Sequence, residues 1–182
     1  IYAGNLRFLH APSTGKTVAA KILAKMLKAD LISIHSLVAR KKIPSKYDAK
    51  RKTRIVDVRS LKAAVKKEIS KEKTSIVEGH LAHFVEADIF VIIRCRPDVL
   101  EKRMKKRKWS DAKIKENIQA EILDSVTIEA LQTQKKGNIV EIDSTKKTPA
   151  AVAKLIARLV KNKKLRSDYR PGSIDWSEKF VS

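Results

Sequence analysis

The residues best placed to do chemistry are Gly15, Lys16 and Thr17, which close the run Ala11-Pro12-Ser13-Thr14-Gly15-Lys16-Thr17. An apolar stretch, Leu6-Arg7-Phe8-Leu9, precedes them and reads as a strand. The segment that follows places Ala19, Ile22, Leu23, Met26 and Leu27 on one helical face. Strand, loop, Gly-Lys-Thr and helix is the setting in which a loop binds phosphate. Pro12, Ser13, Thr14 and Gly15 would form that loop, its N–H groups and those of the helix N-terminus surrounding phosphate oxygens. Lys16 would reach the β- and γ-phosphates of ATP, and the Thr17 hydroxyl would bind Mg²⁺. The pattern G-x-x-x-x-G-K-[ST] is incomplete, because His10 stands at its first glycine and Ser13 replaces a second loop glycine. Side chains there are expected to strain the turn and lower affinity for ATP.

The elements that must position these residues alternate in type. Further strands are expected over 31–34, 74–77 (ending at Glu78), 89–95 and 138–142, and a helix over 59–69. A last helix opens with a cap and a first-turn proline, Thr148-Pro149. Its Val152, Leu155, Ile156, Leu159 and Val160 form a stripe of period 3.6. The strand over 89–95 is apolar on both faces, as a central parallel strand is. The fold class is therefore α/β: a P-loop NTPase-type parallel sheet of about five strands flanked by helices, in one domain over 1–182. The phosphate loop would lie at the carboxyl end of the first strand. Two stretches depart from the alternation. Residues 41–54 are polar and basic, an excursion from the core, and 107–134 reads as one long helical stretch. Both suit small inserts that close over substrates. The tail from 165 to 182 lacks periodicity and is expected to wrap the surface.

Lys and Arg total 41 against 20 Asp and Glu, for a net charge of +21. Thermal adaptation raises Lys and Glu together, so it does not explain this imbalance. The excess points to work beside a polyanion, nucleic acid first among them. A hydrophobic fraction of 43% excludes wholesale disorder. The one cysteine, Cys95, cannot form an internal disulfide and fits a reducing cytoplasm. Its apolar setting suits a structural thiol. No apolar run is long enough to span a membrane.

Together the motifs resemble a known family, the small adenylate kinase-like proteins of archaea and eukaryotic nuclei, which act in small ribosomal subunit maturation. The resemblance rests on Thr14-Gly15-Lys16-Thr17, Tyr47-Asp48, Ile55-Val56-Asp57 and Val77-Glu78-Gly79-His80-Leu81-Ala82-His83. It continues through Ile92-Ile93-Arg94-Cys95-Arg96-Pro97, Arg103-Met104-Lys105-Lys106-Arg107 and Glu116-Asn117-Ile118-Gln119-Ala120-Glu121-Ile122. It ends on Asp168-Tyr169-Arg170-Pro171-Gly172-Ser173-Ile174-Asp175-Trp176.

The resemblance implies phosphoryl transfer between ATP and AMP, with ATP hydrolysis as a companion activity. It also implies an NMP-binding insert over 41–70, a lid over 103–134, and a role in maturing 16S-type rRNA particles beside a ribosomal protein of the small-subunit platform. Glu78 resembles the acidic residue that orients the metal's waters, so Thr17 and Glu78 form the expected Mg²⁺ pair. Arg103 and Arg107, one helical turn apart, resemble lid arginines that clamp a phosphate; a solvated basic helix would carry the same residues. His80 occupies a histidine position of the family. Arg40, Gly79 and His80 are expected around AMP. The substituted loop keeps a second expectation open, a catalytically weakened ribosome- or RNA-associated protein that retains the kinase fold.

Overall fold

The computed structural model describes residues 4–10, 14–41, 43–48, 53–70 and 72–180. In chain order the strands are β1 (Asn5–His10), β2 (Asp30–Ser33), β3 (Ser45–Asp48), β4 (Thr53–Val56), β5 (Ser75–Glu78), β6 (Ile89–Arg94) and β7 (Ile139–Asp143). The helices are α1 (Lys16–Leu27), α2 (Ile34–Arg40), α3 (Val58–Glu68), α4 (Pro97–Lys106), α5 (Asp111–Ile122), α6 (Ser125–Thr133), α7 (Pro149–Lys161) and α8 (Ser177–Phe180). Five strands form one parallel sheet in the order β2-β5-β1-β6-β7. Helices cover both of its faces, the expected α/β class.

Strands β5 and β6 are buried at every residue, which is why they read as unbroken apolar runs. Alternation along β6 divides the core in two. Ile89, Val91 and Ile93 pack with Leu23 of α1 and Val152 and Ile156 of α7. Phe90 and Ile92 pack with Leu37 of α2, Leu61 and Val65 of α3, and Ala130 of α6. Local signals set the helix starts. The Thr148 hydroxyl accepts from the Ala151 N–H with Pro149 in the first turn of α7, and Asp57 accepts from the Ser60 N–H at the start of α3.

Three stretches differ from their sequence reading. The excursion over 41–54 holds β3 and the start of β4, which pair antiparallel in the register Ser45↔Val56. The single helical stretch expected over 107–134 is two helices. The chain turns at Leu123 and Asp124, the latter left-handed at φ 52°. Within the expected lid, Glu121, Thr127 and Ala130 are buried, so its second half belongs to the core. The first half packs on α4 through a small separate cluster of Cys95, Leu100, Met104 and Ile114.

The tail does more than wrap. A 3₁₀ segment, Lys163–Tyr169, lays Leu165 and Tyr169 against the core. Beyond it the Gly172 N–H donates to Glu141 Oε2 at 2.9 Å, and Trp176 Nε1–H donates to Glu121 Oε1 at 3.2 Å. Both carboxylates belong to a buried cluster around Arg94, which is 1% exposed. The Arg94 guanidinium donates to Glu121 Oε1 and Glu141 Oε1, each at 2.7 Å, to the Glu121 carbonyl at 2.7 Å, and to Asp124. Desolvation alone would lower its pKa, but the three carboxylates raise it above its already high value. Burial pushes the Glu121 carboxyl up, against the pull of Arg94.

Removing the cation would leave two buried carboxylates without their counter-charge. Arg94→Met is therefore expected to cost about 3–5 kcal/mol of stability, the range for breaking a buried ion pair from one side. Urea unfolding of the two proteins checks this, and a change below ~1 kcal/mol would show that the cluster is not structural.

Candidate active site

The carboxyl ends of β1, β2 and β5 meet where the strand order reverses direction, the place where open α/β sheets build ligand sites. Register sets Glu78 beside Phe8 on one side and beside Ser33 on the other. Lys16 opens α1 directly after the loop, and its Nζ lies 3.1 Å from Glu78 Oε2. Thr17 donates its hydroxyl to the same oxygen, also at 3.1 Å. Lys16 is 9% exposed and Glu78 6%, so this is a largely desolvated ion pair. Burial lowers the Lys16 pKa and outweighs the opposing pull of Glu78. For Glu78, burial pushes the carboxyl up, but the charge of Lys16 and hydrogen bonds from Ser33, Lys16 and Thr17 hold it below the usual range.

Backbone conformation supports the loop. Gly15 caps α1 at φ 90°, which favours glycine, and makes no side-chain capping bond. The first amides of α1 are thus left without a side-chain cap, as an anion site requires. A Cβ at Gly15 would lie 3.4 Å from Pro149 Cγ, so the start of α7 abuts the loop. At the end of β5, Gly79 has φ 152°, and a Cβ there would come within 2.8 Å of Ile34 Cβ. Only glycine lets β5 close onto the start of α2.

His80 follows on the exposed rim of the site. Local desolvation and the nearby Lys16 ammonium hold its pKa below the ordinary 6.5. His83 is buried beneath the same turn and donates from Nδ1 to the His80 carbonyl at 3.0 Å. Burial also lowers its pKa, although Glu129 lies 4.0 Å away. Both imidazoles are therefore neutral at pH 7.

The structure thus brings Thr14, Gly15, Lys16, Thr17, Glu78, Gly79 and His80 to one edge of the sheet. Pro12 and Ser13 lie outside the described residues. His10 is the last residue of β1, paired with Ile93, and its backbone is extended. That backbone is open to every residue type; the turn expected after it, with Ser13, lies outside the described residues. Arg40 is at the surface, 2.9 Å from Glu68, which also pairs with Lys41. Arg103 is not poised as a clamp. It donates to the carbonyls of Ser144 and Thr145 at 3.3 and 3.1 Å, and to Cys95 Sγ at 3.3 Å. It therefore ties α4 to the loop that leads to Pro149. Burial pushes the Cys95 thiol up to about 11 despite that arginine, which makes it a structural thiol. Arg107 caps the C-terminus of α4 and is exposed.

Three contributors escaped the sequence reading. Ser33 supports Glu78 only through sheet register, and His83 acts through its ring on a backbone carbonyl. Pro149 marked a helix start without showing what lay beside it. Among the described residues no three or more His, Cys, Asp or Glu side chains gather to hold a metal by themselves. No helix among them is long and apolar enough to cross a membrane.

A phosphate loop at a strand-order reversal, with a buried lysine and a strand-end carboxylate, defines a P-loop phosphotransferase. A model of the AAA domain matches residues 11–124. A relative from Methanocaldococcus jannaschii named "Putative adenylate kinase" is 33% identical over 93% of this chain and 90% of its own length. One of the same name from Pyrococcus abyssi is 32% identical over 93% of this chain and 89% of its own. The chain belongs to this adenylate kinase-like family of P-loop kinases. Solved structures agree at the level of fold. A shikimate kinase from Acinetobacter baumannii, in complex with shikimate, superposes with a TM-score of 0.61 at 12% identity, covering 90% of this chain and 96% of that one. A shikimate kinase from Aquifex aeolicus gives 0.54 at 15% identity, covering 88% and 98%.

Folded-state pKa values below 6.5 at His80 and His83 mean that the unfolded chain binds protons more readily. Their stabilising contribution is complete above about pH 6.5 and is lost as the pH falls through the lower folded values. Thermal stability should decline between pH 7 and 5, and the decline should be shallower in His80→Gln/His83→Gln. Melting curves across that range check it, and parallel curves for the two proteins would contradict it.

Proposed function

We propose that this protein transfers the γ-phosphoryl group between ATP and AMP, hydrolyses ATP as a companion activity, and acts in small ribosomal subunit maturation. The observation that carries the catalytic part is the Lys16–Glu78 pair with Thr17 on the same carboxylate oxygen. The names of the archaeal relatives support adenylate as the substrate. In the transfer, an AMP phosphate oxygen bonds to the γ-phosphorus while the bond from that phosphorus to the β–γ bridging oxygen breaks. Little covalent work falls to the protein, so positioning and charge decide the rate.

Lys16 leaves Glu78 to contact the β- and γ-phosphates, and the first amides of α1 surround the same oxygens. One hydroxyl and one carboxylate are hard oxygen donors, and such a sparse set suits Mg²⁺, which keeps several waters. Thr17 and Glu78 would hold that ion, which when bound neutralises charge on the phosphates. His80, neutral at pH 7, accepts a hydrogen bond from the water that attacks during hydrolysis. AMP sits on the side of α2 and the 41–70 insert, where Gly79 and His80 line the approach and Arg40 exchanges Glu68 for the monophosphate. Arg107 contacts the transferring phosphate from the first half of the lid, and Arg103 holds the loop before α7.

Lys16→Ala should lower ADP formation from Mg-ATP and AMP on the order of 10²–10³-fold, the scale for losing one group that stabilises transition-state charge. A coupled ADP assay checks the rate, and calorimetry should show ATP binding weakened as well. Equal turnover in the two proteins would remove Lys16 from the site. For the ribosomal part, the net charge of +21 and the family resemblance are the support. In gradient sedimentation of cell extract the protein should travel with small-subunit particles at low salt and leave them at high salt. Residence at the top of the gradient at low salt would refute that role.

A further inference from the structure

On the edge of the sheet opposite the nucleotide site, the starts of β6 and β7 and the tail enclose a groove of about 640 Å³. Asp88 and Asn138 lie toward the strand starts. Lys136 stands on the loop before β7, and Lys163, Arg166 and Arg170 come from the segment that follows α7. Four cations thus face one carboxylate. Lys136, Lys163 and Arg170 are exposed. Among the described residues none of these three belongs to an ion pair within 4.0 Å. Arg166 is committed differently, donating to the Leu159 and Val160 carbonyls at the end of α7 at 2.9 and 3.4 Å. It fixes the wall from which Lys163 and Arg170 project. The tail contacts of Gly172 and Trp176 to Glu141 and Glu121 anchor the far end of that wall.

We infer that this amino-edge groove binds the phosphate backbone of a nucleic acid strand, at a site separate from the nucleotide-binding edge. The separation follows from the sheet. The strands are parallel, so Asp88, just before β6, and Ile139, which starts β7, lie at the ends of these strands away from the loop, ~20 Å from it over the six residues of β6. The lining selects the occupant. A nucleotide pocket is mostly apolar with a few convergent polar groups, and a protein interface is built on aromatic or aliphatic anchors. This groove has no aromatic residue in its lining. Its cations are long, flexible and spread over two walls, which suits repeated phosphates and not base stacking. The site stands on this lining and not on the kinase assignment, so turnover and strand binding are read separately.

The test is Lys136→Ala/Lys163→Ala/Arg170→Ala, with Lys21→Ala/Lys25→Ala/Lys154→Ala as a control of equal charge change on exposed positions of α1 and α7. A fluorescent mixed-sequence single-stranded RNA and a DNA of the same sequence are titrated from about 50 to 200 mM salt. The groove variant should bind roughly tenfold or more weakly at the low-salt end, and its log–log salt slope should shrink by about 2, near 0.7 for each lost cation. Its melting temperature and ADP formation should match wild type. The two probes separate an RNA source from a DNA source, and loss with either supports the site. Unchanged affinity and slope would overturn the proposal. So would an equal loss in the control, which would make the effect one of overall charge.

Discussion

Arg94 ends the interior strand β6 with a guanidinium surrounded by carboxylates, and the segments beside that strand end are arranged around that charge. Glu141 brings in the edge strand β7. Glu121 and Asp124 bring in the break between α5 and α6, and Trp176 and Gly172 bring in the tail through the same two glutamates. A buried charge of this kind does not by itself imply net stabilisation over an apolar replacement. What it does here is fix geometry. A guanidinium presents its donors in one plane at set angles, so the segments that supply acceptors must meet in one arrangement. The helices over that face and the strap along β7 take their places accordingly.

The nucleotide edge works on the opposite principle, because its buried ion pair is suited to exchange. Lys16 and Glu78 neutralise one another in a desolvated position, and in the proposed reaction each takes another partner, phosphate for the lysine and a hard cation for the carboxylate. The same pair that keeps the unliganded edge from carrying an uncompensated charge is thereby ready to separate. Rigid surroundings make that separation productive. Gly79 lies against Ile34, and Pro149 lies against Gly15, so the backbone on both sides of the pair is held while side chains change partners.

Much of the fold was legible because buried parallel strands leave apolar runs and because caps leave local signatures. Thr148-Pro149 and the runs at 75–78 and 89–94 are cases where local and global preferences agree. Arg94 was not legible. A charged residue after five apolar ones reads as a strand end, and its partners lie 27 to 47 residues away. The β3–β4 pairing was missed for a different reason, since Lys46 and Ile55, opposite one another in it, are both exposed, and the strands leave no alternating apolar pattern. At the site, Gly15, Lys16, Thr17 and Glu78 could be named because motif spacing and strand-end position are sequence properties. Ser33 depends on register and Arg103 on a loop distant in sequence. His10 was expected at a turn, and the structure puts it at the last position of β1.

The strand order also has a consequence in time. The segment that becomes β1 is synthesised before either of its neighbours, which begin at Ser75 and Ile89. Until both have been made, β1 is an apolar strand with two unsatisfied hydrogen-bonding edges, and the loop behind it has no platform. Closing such long intervening segments costs chain entropy before any contact repays it. A nascent chain is thus without its phosphate site until the segments of β5 and β6 have been made to flank β1. Over that interval the exposed strand is a hazard for mispairing with other chains, and nucleotide can lend no stability to the chain until it has passed.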